Sequence, residues 1–371
     1  MPLLQNFTPA EYQNKGKIWA IGSAPNGIIY MAADKGLLEY DGKTWKCFKG
    51  SEGFTRSLAV INDSLIYTGS DLDFGVWHRN KYHDFEYTSL YSFKEELAPL
   101  NEEFWHVYRL SGNIFFISAH NLYVYKDNRI TKIAAPNRIT GSFTANDSLY
   151  FTDKKKGLLV LSNLLLKPVC EFPEEDAIEI VGAYQHNGNT VFVTKNSGLY
   201  TILAGKFSPV RNQLSQDLKA AKVFSFEQIN KTYPAFGTVL KGLFISNTEG
   251  KLIHNINKYK GLPNNTILSL YYSPSGKLWA GMDYGVSSLD INSNLTFFYD
   301  YRGDFGTGYT ALLKENTFYL GTNQGLYLSG WEDLNNNTAF HHFTLLPGSE
   351  GQVWALKNIG GTVFIAHDNG L

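Results

Sequence analysis

The sequence is poor in the residues that build metal sites and disulfide frameworks. Its 371 residues include only two cysteines, Cys47 and Cys170, and neither belongs to a CxxC pair or has a histidine close by in the sequence. This spacing gives no support for a zinc site, so we predict that no metal is bound. A disulfide between the two cysteines is an open alternative with little to favour it.

Long apolar runs and an excess charge of one sign are also lacking. No stretch of eighteen or more apolar residues occurs, and the start from Met1 to Gln5 has neither the charged nor the apolar region of a signal peptide. Lys and Arg number 33 against 34 Asp and Glu, for a net charge of -1, and they are scattered along the chain. We therefore expect no direct contact with nucleic acid.

Motifs that carry catalysis are missing as well. The sequence has no GxSxG, no HExxH, no glycine-rich phosphate loop and no EF-hand spacing. Asp71 and Asp73 could do acid–base work on a sugar, but they lie in the polar turn where other repeats carry Asp34 or Asn323. The prediction is that the chain has no catalytic residues, binds no cofactor and is not an enzyme.

One pattern does recur along the whole chain. Residues 319–327 consist of an apolar strand, a small residue, a short polar turn, a Gly-Leu pair and a second apolar strand. The turn marker of this pattern returns about every 40 residues, at positions 36, 75, 121, 157, 198, 242, 285, 325 and 370. A tight turn before the second strand favours a residue with positive φ, which predicts Gly at most markers and Asn at position 121.

Each repeat has room for four short strands. In the first repeat the strands are predicted at residues 18–21, 28–31, 36–40 and 44–48, and a further strand could form around residues 6–8. Repeats of this kind predict an all-β protein, a β-propeller of four-stranded antiparallel blades. Nine repeats exceed the usual four to eight blades of one ring. We therefore predict a seven-bladed propeller over residues 1–302, followed by the first blades of a second, truncated propeller over residues 303–371; a single larger ring is the alternative.

Two connections are long enough to hold more than a turn. The link from Ser89 to Glu103 is where a short helix could form. The polar segment from Gln213 to Ala221 is predicted to be a loop over one face.

Candidate ligand-binding residues stand where the innermost strand of each blade begins, because that end opens at the rim of the central channel. They are aromatic or planar polar side chains, which could stack on and hydrogen-bond to a sugar or another polar small molecule: Trp19, Arg56, Trp105, His106, Asn265, Tyr309 and Trp354. The alternative for the three tryptophans, which occupy equivalent positions, is packing between blades. Arg56 is the hardest to explain by packing.

Several stretches resemble a known kind of repeat. Residues 267–270, Gly276 to Gly281 and Tyr284-Gly285-Val286 together resemble the two-component regulator propeller repeat. Residues 19–45, 261–266 and 321–326 resemble the sensor region of triple-tyrosine-motif regulators of Bacteroidetes. The resemblance implies a periplasmic propeller region, followed in a longer polypeptide by a triple-tyrosine β-sandwich, a membrane helix and a cytoplasmic output. That output is a hybrid histidine kinase module or a LuxR-like helix-turn-helix.

The expected function is that of a non-catalytic periplasmic sensor or interaction propeller of a membrane-spanning regulator of transcription. The expected partners are an unknown small ligand, for which an oligosaccharide is one candidate, the downstream sandwich and output domains of the same chain, and a second copy in a homodimer. The alternative is a propeller-type polysaccharide lyase or glycoside hydrolase. Such an enzyme requires carboxylate, Tyr, His or Arg side chains clustered at one end of the channel.

Overall fold

The computed structural model describes residues 2–50, 53–92, 102–173, 178–230, 232–295, 297, 300, 303–335 and 343–370. The described chain is built from antiparallel strands, beginning with β1 (Leu3–Phe7). The first three sheets that follow are β2 (Ile18–Ser23), β3 (Ile29–Ala33), β4 (Gly36–Tyr40) and β5 (Trp45–Phe48); β6 (Thr55–Asn62), β7 (Leu65–Ser70), β8 (Phe74–Arg79) and β9 (Phe85–Ser89); and β10 (His106–Leu110), β11 (Asn113–Ile117), β12 (Asn121–Lys126) and β13 (Arg129–Ala134).

Three further sheets repeat this order. They are β14 (Ile139–Ala145), β15 (Ser148–Asp153), β16 (Gly157–Ser162) and β17 (Leu165–Cys170); β18 (Ile180–His186), β19 (Asn189–Thr194), β20 (Leu199–Leu203) and β21 (Lys206–Pro209); and β22 (Val223–Ile229), β23 (Tyr233–Thr238), β24 (Leu243–Ser246) and β25 (Leu252–Ile256). The last strands are β26 (Ile267–Tyr272), β27 (Leu278–Met282) and β28 (Val286–Asp290); β29 (Gly308–Lys314), β30 (Thr317–Thr322), β31 (Leu326–Gly330) and β32 (Thr344–Leu345); and the pair β33 (Val353–Ile359) and β34 (Thr362–His367). This confirms the predicted all-β propeller fold of four-stranded antiparallel sheets.

The first strand of the chain completes the sheet of β26, β27 and β28. β1 pairs antiparallel with β28, so that Leu3 lies opposite Asp290 and Phe7 opposite Val286. This sheet contacts the first one, because the Ser269 hydroxyl donates to the Ile18 carbonyl at 3.0 Å. These contacts join the two ends of the segment 3–290, and β29 to β34 are called the second unit below. The division into a seven-bladed propeller and a truncated second one stays a prediction. The boundary was predicted between residues 302 and 303, and residue 302 lies outside the described residues.

The hydrophobic core is divided among the interfaces between neighbouring blades. Between the second and third blades, for example, the rings of Phe74 and Phe116 stack at a centroid distance of 4.2 Å, and Phe104 and Tyr123 pack against them. Each fully buried side chain of this size contributes about 1.5–3 kcal/mol of apolar burial. Many of the aromatic side chains in the sequence therefore fill the interfaces between neighbouring sheets.

Glycine is required at the marker positions for two reasons. The first is a positive φ, and the second is a close approach of the neighbouring backbone that leaves no room for a Cβ. Gly157 has a φ of 77°, and a Cβ at this position would lie 2.3 Å from the Cys170 carbonyl oxygen, where the last strand of the blade ends. Only the second reason applies to Gly75: it lies inside β8 without a positive φ, and its Cβ would lie 2.3 Å from the Thr88 carbonyl oxygen. The prediction of a left-handed Asn121 was wrong, because Asn121 begins β12 without a positive φ.

The segment predicted as a polar loop is a helix, α1 (Gln213–Ala221). The Asn212 side chain caps it by accepting a hydrogen bond from the Ser215 amide at 2.8 Å. Leu214 and Leu218, one turn apart, are buried against the fifth and sixth blades, so apolar residues at helical spacing decide the structure despite the polar residues between them. A second helix, α2, spans Trp331–Asn335.

Three other expectations can be compared with the described residues. The short helix predicted between Ser89 and Glu103 falls mostly on residues 93–101, which lie outside them. Cys47 and Cys170 are both free thiols, so the weak alternative of a disulfide is dropped. Neither helix in the described part of the chain has the length and apolar character needed to cross a membrane.

Candidate functional site

The innermost strand of most blades begins with a β-bulge. In β2, β6 and β22 the pairing with the next strand skips one residue, which leaves Trp19, Arg56 and Phe224 outside the regular register. A bulge re-aims the side chain of the skipped residue. In the third blade the corresponding residue is Trp105, which immediately precedes β10.

These re-aimed side chains meet one another across the ring. The Trp19 ring, from the first blade, lies 5.7 Å from the Trp105 ring of the third blade and 6.4 Å from the Phe224 ring of the sixth blade. Side chains from blades that are not neighbours can touch only near the axis. They therefore lie at one mouth of the central channel.

Arg56 lies at the centre of this group. Its guanidinium carbon is 4.3 Å from the centre of the Trp19 ring, 4.7 Å from that of Trp105 and 5.4 Å from that of Phe54. Its Nε donates to the Asp71 carboxylate at 2.5 Å. Aromatic faces stabilise a cation at these distances. We call Trp19, Phe54, Arg56, Trp105 and Phe224 the mouth cluster.

Both indole rings of the mouth cluster are held in place by carboxylates. Trp19 Nε1 donates to Asp34 at 2.6 Å, and Trp105 Nε1 donates to Glu103 at 2.8 Å. Trp105 nevertheless keeps 37% of its surface exposed. The cluster thus offers solvent a rigid aromatic face with carboxylates and a cation around it, which suits a polar ligand that has an apolar side.

His106 follows Trp105 and lies just inside the mouth. Burial, together with the nearby Lys195 cation, lowers the pKa of His106 to about 4, so its imidazole is neutral at pH 7. The ring stacks on Tyr108 at 5.8 Å, with 7° between the planes. In the other innermost strands of the ring, the residue at this place after the bulge is small: Ala20, Ser57, Gly141, Gly182, Ser225 and Ser269.

Three of the seven predicted ligand residues lie elsewhere. The Asn265 side chain accepts a hydrogen bond from the Lys258 amide at 2.8 Å, inside the connection between the sixth and seventh blades. Tyr309 and Trp354 begin strands of the second unit and stack on each other at 5.0 Å. The structure therefore brings together Trp19, Arg56 and Trp105, with His106 next to them.

The sequence analysis missed two aromatic members of the mouth cluster. Phe224 is the second residue of the innermost strand in the sixth blade, the same place that Trp19 holds in the first. Comparing the second position of every innermost strand would have found it. Phe54 precedes β6 outside any repeat pattern, and only its contact with Arg56 places it here.

Two acid–base groups of the innermost strands, His106 and Glu227, have shifted pKa values. Among the described residues no three His, Cys, Asp or Glu side chains are grouped so that they could hold a metal ion. The His106 imidazole has no hydrogen-bond partner among the described residues. In the sixth blade, burial raises the pKa of Glu227 to about 8, so this carboxyl group is protonated at pH 7.

A separate cleft opens between the fourth and fifth blades. Its volume is about 210 Å³, and Phe143, Tyr150 and Phe192 are among its lining residues, none of which is charged. No residue of the mouth cluster lines this cleft. We place the candidate site at the mouth cluster because aromatic, cationic and anionic side chains from several blades converge there.

The comparisons with known proteins bear on the fold alone. No protein-family model matches the sequence, and no curated protein does so either. Among solved structures, a catalytically inactive variant of virginiamycin B lyase from Staphylococcus aureus with quinupristin is similar. Its TM-score is 0.61 at 10% identity, over 78% of this chain and 99% of that one.

Two other similar structures are extracellular domains from B. thetaiotaomicron. One, assigned to the hybrid two component system BT3049, has a TM-score of 0.70 at 15% identity and covers 99% of this chain and 52% of that one. The other, assigned to BT4673, has a TM-score of 0.61 at 17% identity and covers 99% and 51%. The chain thus spans about half the length of each. Over almost its whole length, the chain has the β-propeller fold of these extracellular domains of bacterial signalling proteins.

Proposed function

We propose that this chain is the sensor propeller of a periplasmic or extracellular signal-transduction protein and that it binds a glycan fragment at the mouth cluster. The observation that carries the proposal is the convergence of Trp19, Arg56 and Trp105, from three blades, on one solvent-reaching face. The similarity to extracellular domains of two-component systems supports the sensory role. A regulator of transcription would lie downstream of it.

The mechanism we propose is non-covalent. A sugar ring stacks on the exposed face of Trp105, and its hydroxyl groups hydrogen-bond to the carboxylates of Glu103 and Asp71, which keep free lone pairs. Because the mouth cluster joins the first, second, third and sixth blades, a ligand there favours one packing of the ring over another. A signal requires such a difference in affinity between two states.

Removal of the aromatic face is expected to weaken ligand binding. Trp105→Ala should lower the affinity for a bound oligosaccharide by about tenfold or more, since a stacked ring contributes on the order of 1–2 kcal/mol. A panel of tetra- to hexasaccharides, screened by glycan array and measured by isothermal titration calorimetry, provides the test. Trp354→Ala is the matched control, because Trp354 is an exposed tryptophan at the same repeat position in the second unit. Equal loss in both variants, or none in Trp105→Ala, would contradict the proposal.

A polysaccharide lyase or glycoside hydrolase is the second candidate, and His106 is the observation that favours it. A neutral imidazole without a hydrogen-bond partner among the described residues, next in sequence to Trp105 of the mouth cluster, could accept a proton. The virginiamycin B lyase shows that a propeller of similar fold can be an enzyme. Incubation of the chain with polysaccharides, followed by measurement of new reducing ends or unsaturated products, separates the two candidates. Turnover that His106→Ala abolishes would overturn the sensor proposal.

A further inference from the structure

The fold gathers lysines that are scattered in the sequence. The turns between the second and third strands of the fourth, fifth and sixth blades carry Lys154 to Lys156, Lys195 and Lys241. Equivalent turns of successive blades lie on the same face of a propeller. In the first, second and seventh blades the corresponding turns carry Asp34 with Lys35, Asp71 with Asp73, and Asp283.

Main-chain hydrogen bonds fix these turns beside the mouth of the channel. The Lys154 amide donates to the carbonyl of Arg138, the residue before β14, at 3.0 Å. The amide of Val223, the first residue of β22, donates to the Lys195 carbonyl at 2.9 Å. Lys195 Nζ lies 5.4 Å from the ring of Phe224 in the mouth cluster. The lysine-bearing turns and the starts of the innermost strands therefore share one end of the ring.

Six cations in this region have exposed side chains. Within the described parts of the chain no carboxylate forms an ion pair with any member of a set that we call the basic arc: Arg138, Lys154, Lys155, Lys156, Lys222 and Lys241. Cations nearer the axis are paired, as in Lys17 with Asp283 at 3.3 Å and Lys195 with Glu179 at 2.8 Å.

The carboxylate that precedes the Lys154 to Lys156 turn is held by the main chain. Asp153 is fully buried and accepts hydrogen bonds from the main-chain amides of Asn137, Lys155 and Lys156. Its charge is directed at the backbone and not at a lysine side chain. Because the whole chain carries a net charge of only -1, the basic arc is a local feature that distinguishes one side of the mouth from the other.

We propose that the ligand of the mouth cluster is an acidic oligosaccharide, with one sugar ring on Trp105 and its carboxylate or sulfate groups over the basic arc. This inference rests on the proposed function and adds the chemical class of its ligand. A neutral glycan would leave the arc unused. Unpaired lysines near an aromatic surface attract an anion most at low ionic strength, and salt weakens that attraction.

The test compares ligands of equal length and different charge. Oligogalacturonate and heparin-derived hexasaccharides are titrated into the chain by calorimetry alongside cellohexaose, at low and high NaCl. We expect at least one acidic hexasaccharide to bind about tenfold or more tightly than cellohexaose, with an affinity that falls as salt rises. Lys155→Glu/Lys241→Glu should weaken that binding by about tenfold, because each substitution removes an attractive positive charge and adds a repulsive negative one.

The matched control is Lys126→Glu/Lys251→Glu, because both lysines are exposed at the other end of their blades: Lys126 ends β12, and Lys251 lies in the turn before β25. It should leave the affinity unchanged. Binding of cellohexaose that equals or exceeds that of both acidic sugars would overturn the inference and leave the sensor proposal standing, whereas no binding of any hexasaccharide would overturn both. Equal weakening in control and arc variants, or equally tight binding of a single-stranded hexanucleotide, would also reject an acidic glycan as the specific ligand.

Discussion

Arg79→Met is expected to lower the free energy of unfolding by about 3–5 kcal/mol. Arg79 in β8 of the second blade forms a buried ion pair with Glu39 in β4 of the first. It also donates to the Tyr30 hydroxyl at 2.9 Å and to the Asp63 and His83 carbonyls at 2.7 and 2.9 Å. The substitution keeps most of the apolar stem but leaves the Glu39 carboxylate, only 6% exposed, without its cation.

Urea unfolding followed by tryptophan fluorescence measures this loss. The double variant Arg79→Met/Glu39→Gln should recover part of it, because the uncompensated charge is then gone. Arg129→Met, at an exposed arginine of β13, serves as the control and should change the free energy of unfolding by less than about 0.5 kcal/mol. A loss below about 1 kcal/mol for Arg79→Met would show that the ion pair does not hold the two blades together.

Glu102→Ala is the second substitution with a large expected cost, about 3 kcal/mol. The buried Glu102 carboxylate accepts hydrogen bonds from four side chains of the described chain: the Tyr91 hydroxyl at 3.0 Å, the Ser118 hydroxyl at 2.7 Å, and the Asn121 amide and Tyr123 hydroxyl at 2.5 Å each. Alanine would leave these donors buried without their acceptor. The network also ties the chain before β10 to the third blade, next to Glu103 and Trp105 of the candidate site.

The same carboxylate predicts a dependence on pH. Burial by itself would raise the pKa of Glu102, but the four hydrogen bonds outweigh it and lower the pKa from its usual value. A depressed folded-state pKa stabilises the fold fully above the unfolded pKa of about 4.3, and this contribution is lost as the pH falls through the folded-state value. The difference in stability between the native chain and Glu102→Gln should therefore be largest at pH 7 and shrink below about pH 4.

Urea titrations at pH 7, 4.5 and 3.5 on both proteins provide the measurement. Glu249→Gln is the control, because Glu249 is exposed in a turn of the sixth blade. It should show no comparable loss of stability at any pH. A gap between the native chain and Glu102→Gln that stays constant from pH 7 to 3.5 would contradict a stabilising ionised Glu102.

The sequence allowed most of the fold to be predicted, because strand, turn and repeat are local properties. The four strands predicted for the first repeat match β2 to β5 to within two residues at each end. Residues near Phe7 did supply a strand, β1, although only the structure identified β28 as its partner. Asn121 shows the limit of local reasoning: its position suggested a left-handed turn, but its side chain is engaged by Glu102, a partner set by the tertiary structure.

The candidate site was predicted only in part. Trp19, Arg56 and Trp105 could be chosen because repeat position and side-chain type are visible in the sequence. Tyr309 and Trp354 satisfied the same criteria, yet they stack on each other in the second unit. Which strand starts converge on one axis depends on the closure of the ring, and that closure joins residues at opposite ends of the segment 3–290.

The order of residues was enough to predict a repeat of short antiparallel strands, because side-chain alternation and turn glycines act over a few residues. Only tertiary contacts enclose an arginine with aromatic rings from three parts of the chain. They also place six cations, which have no ion-pair partner among the described residues, along one side of those rings. Contacts and electrostatic fields depend on distance in space, and a ring brings together side chains that are separated by more than a hundred residues.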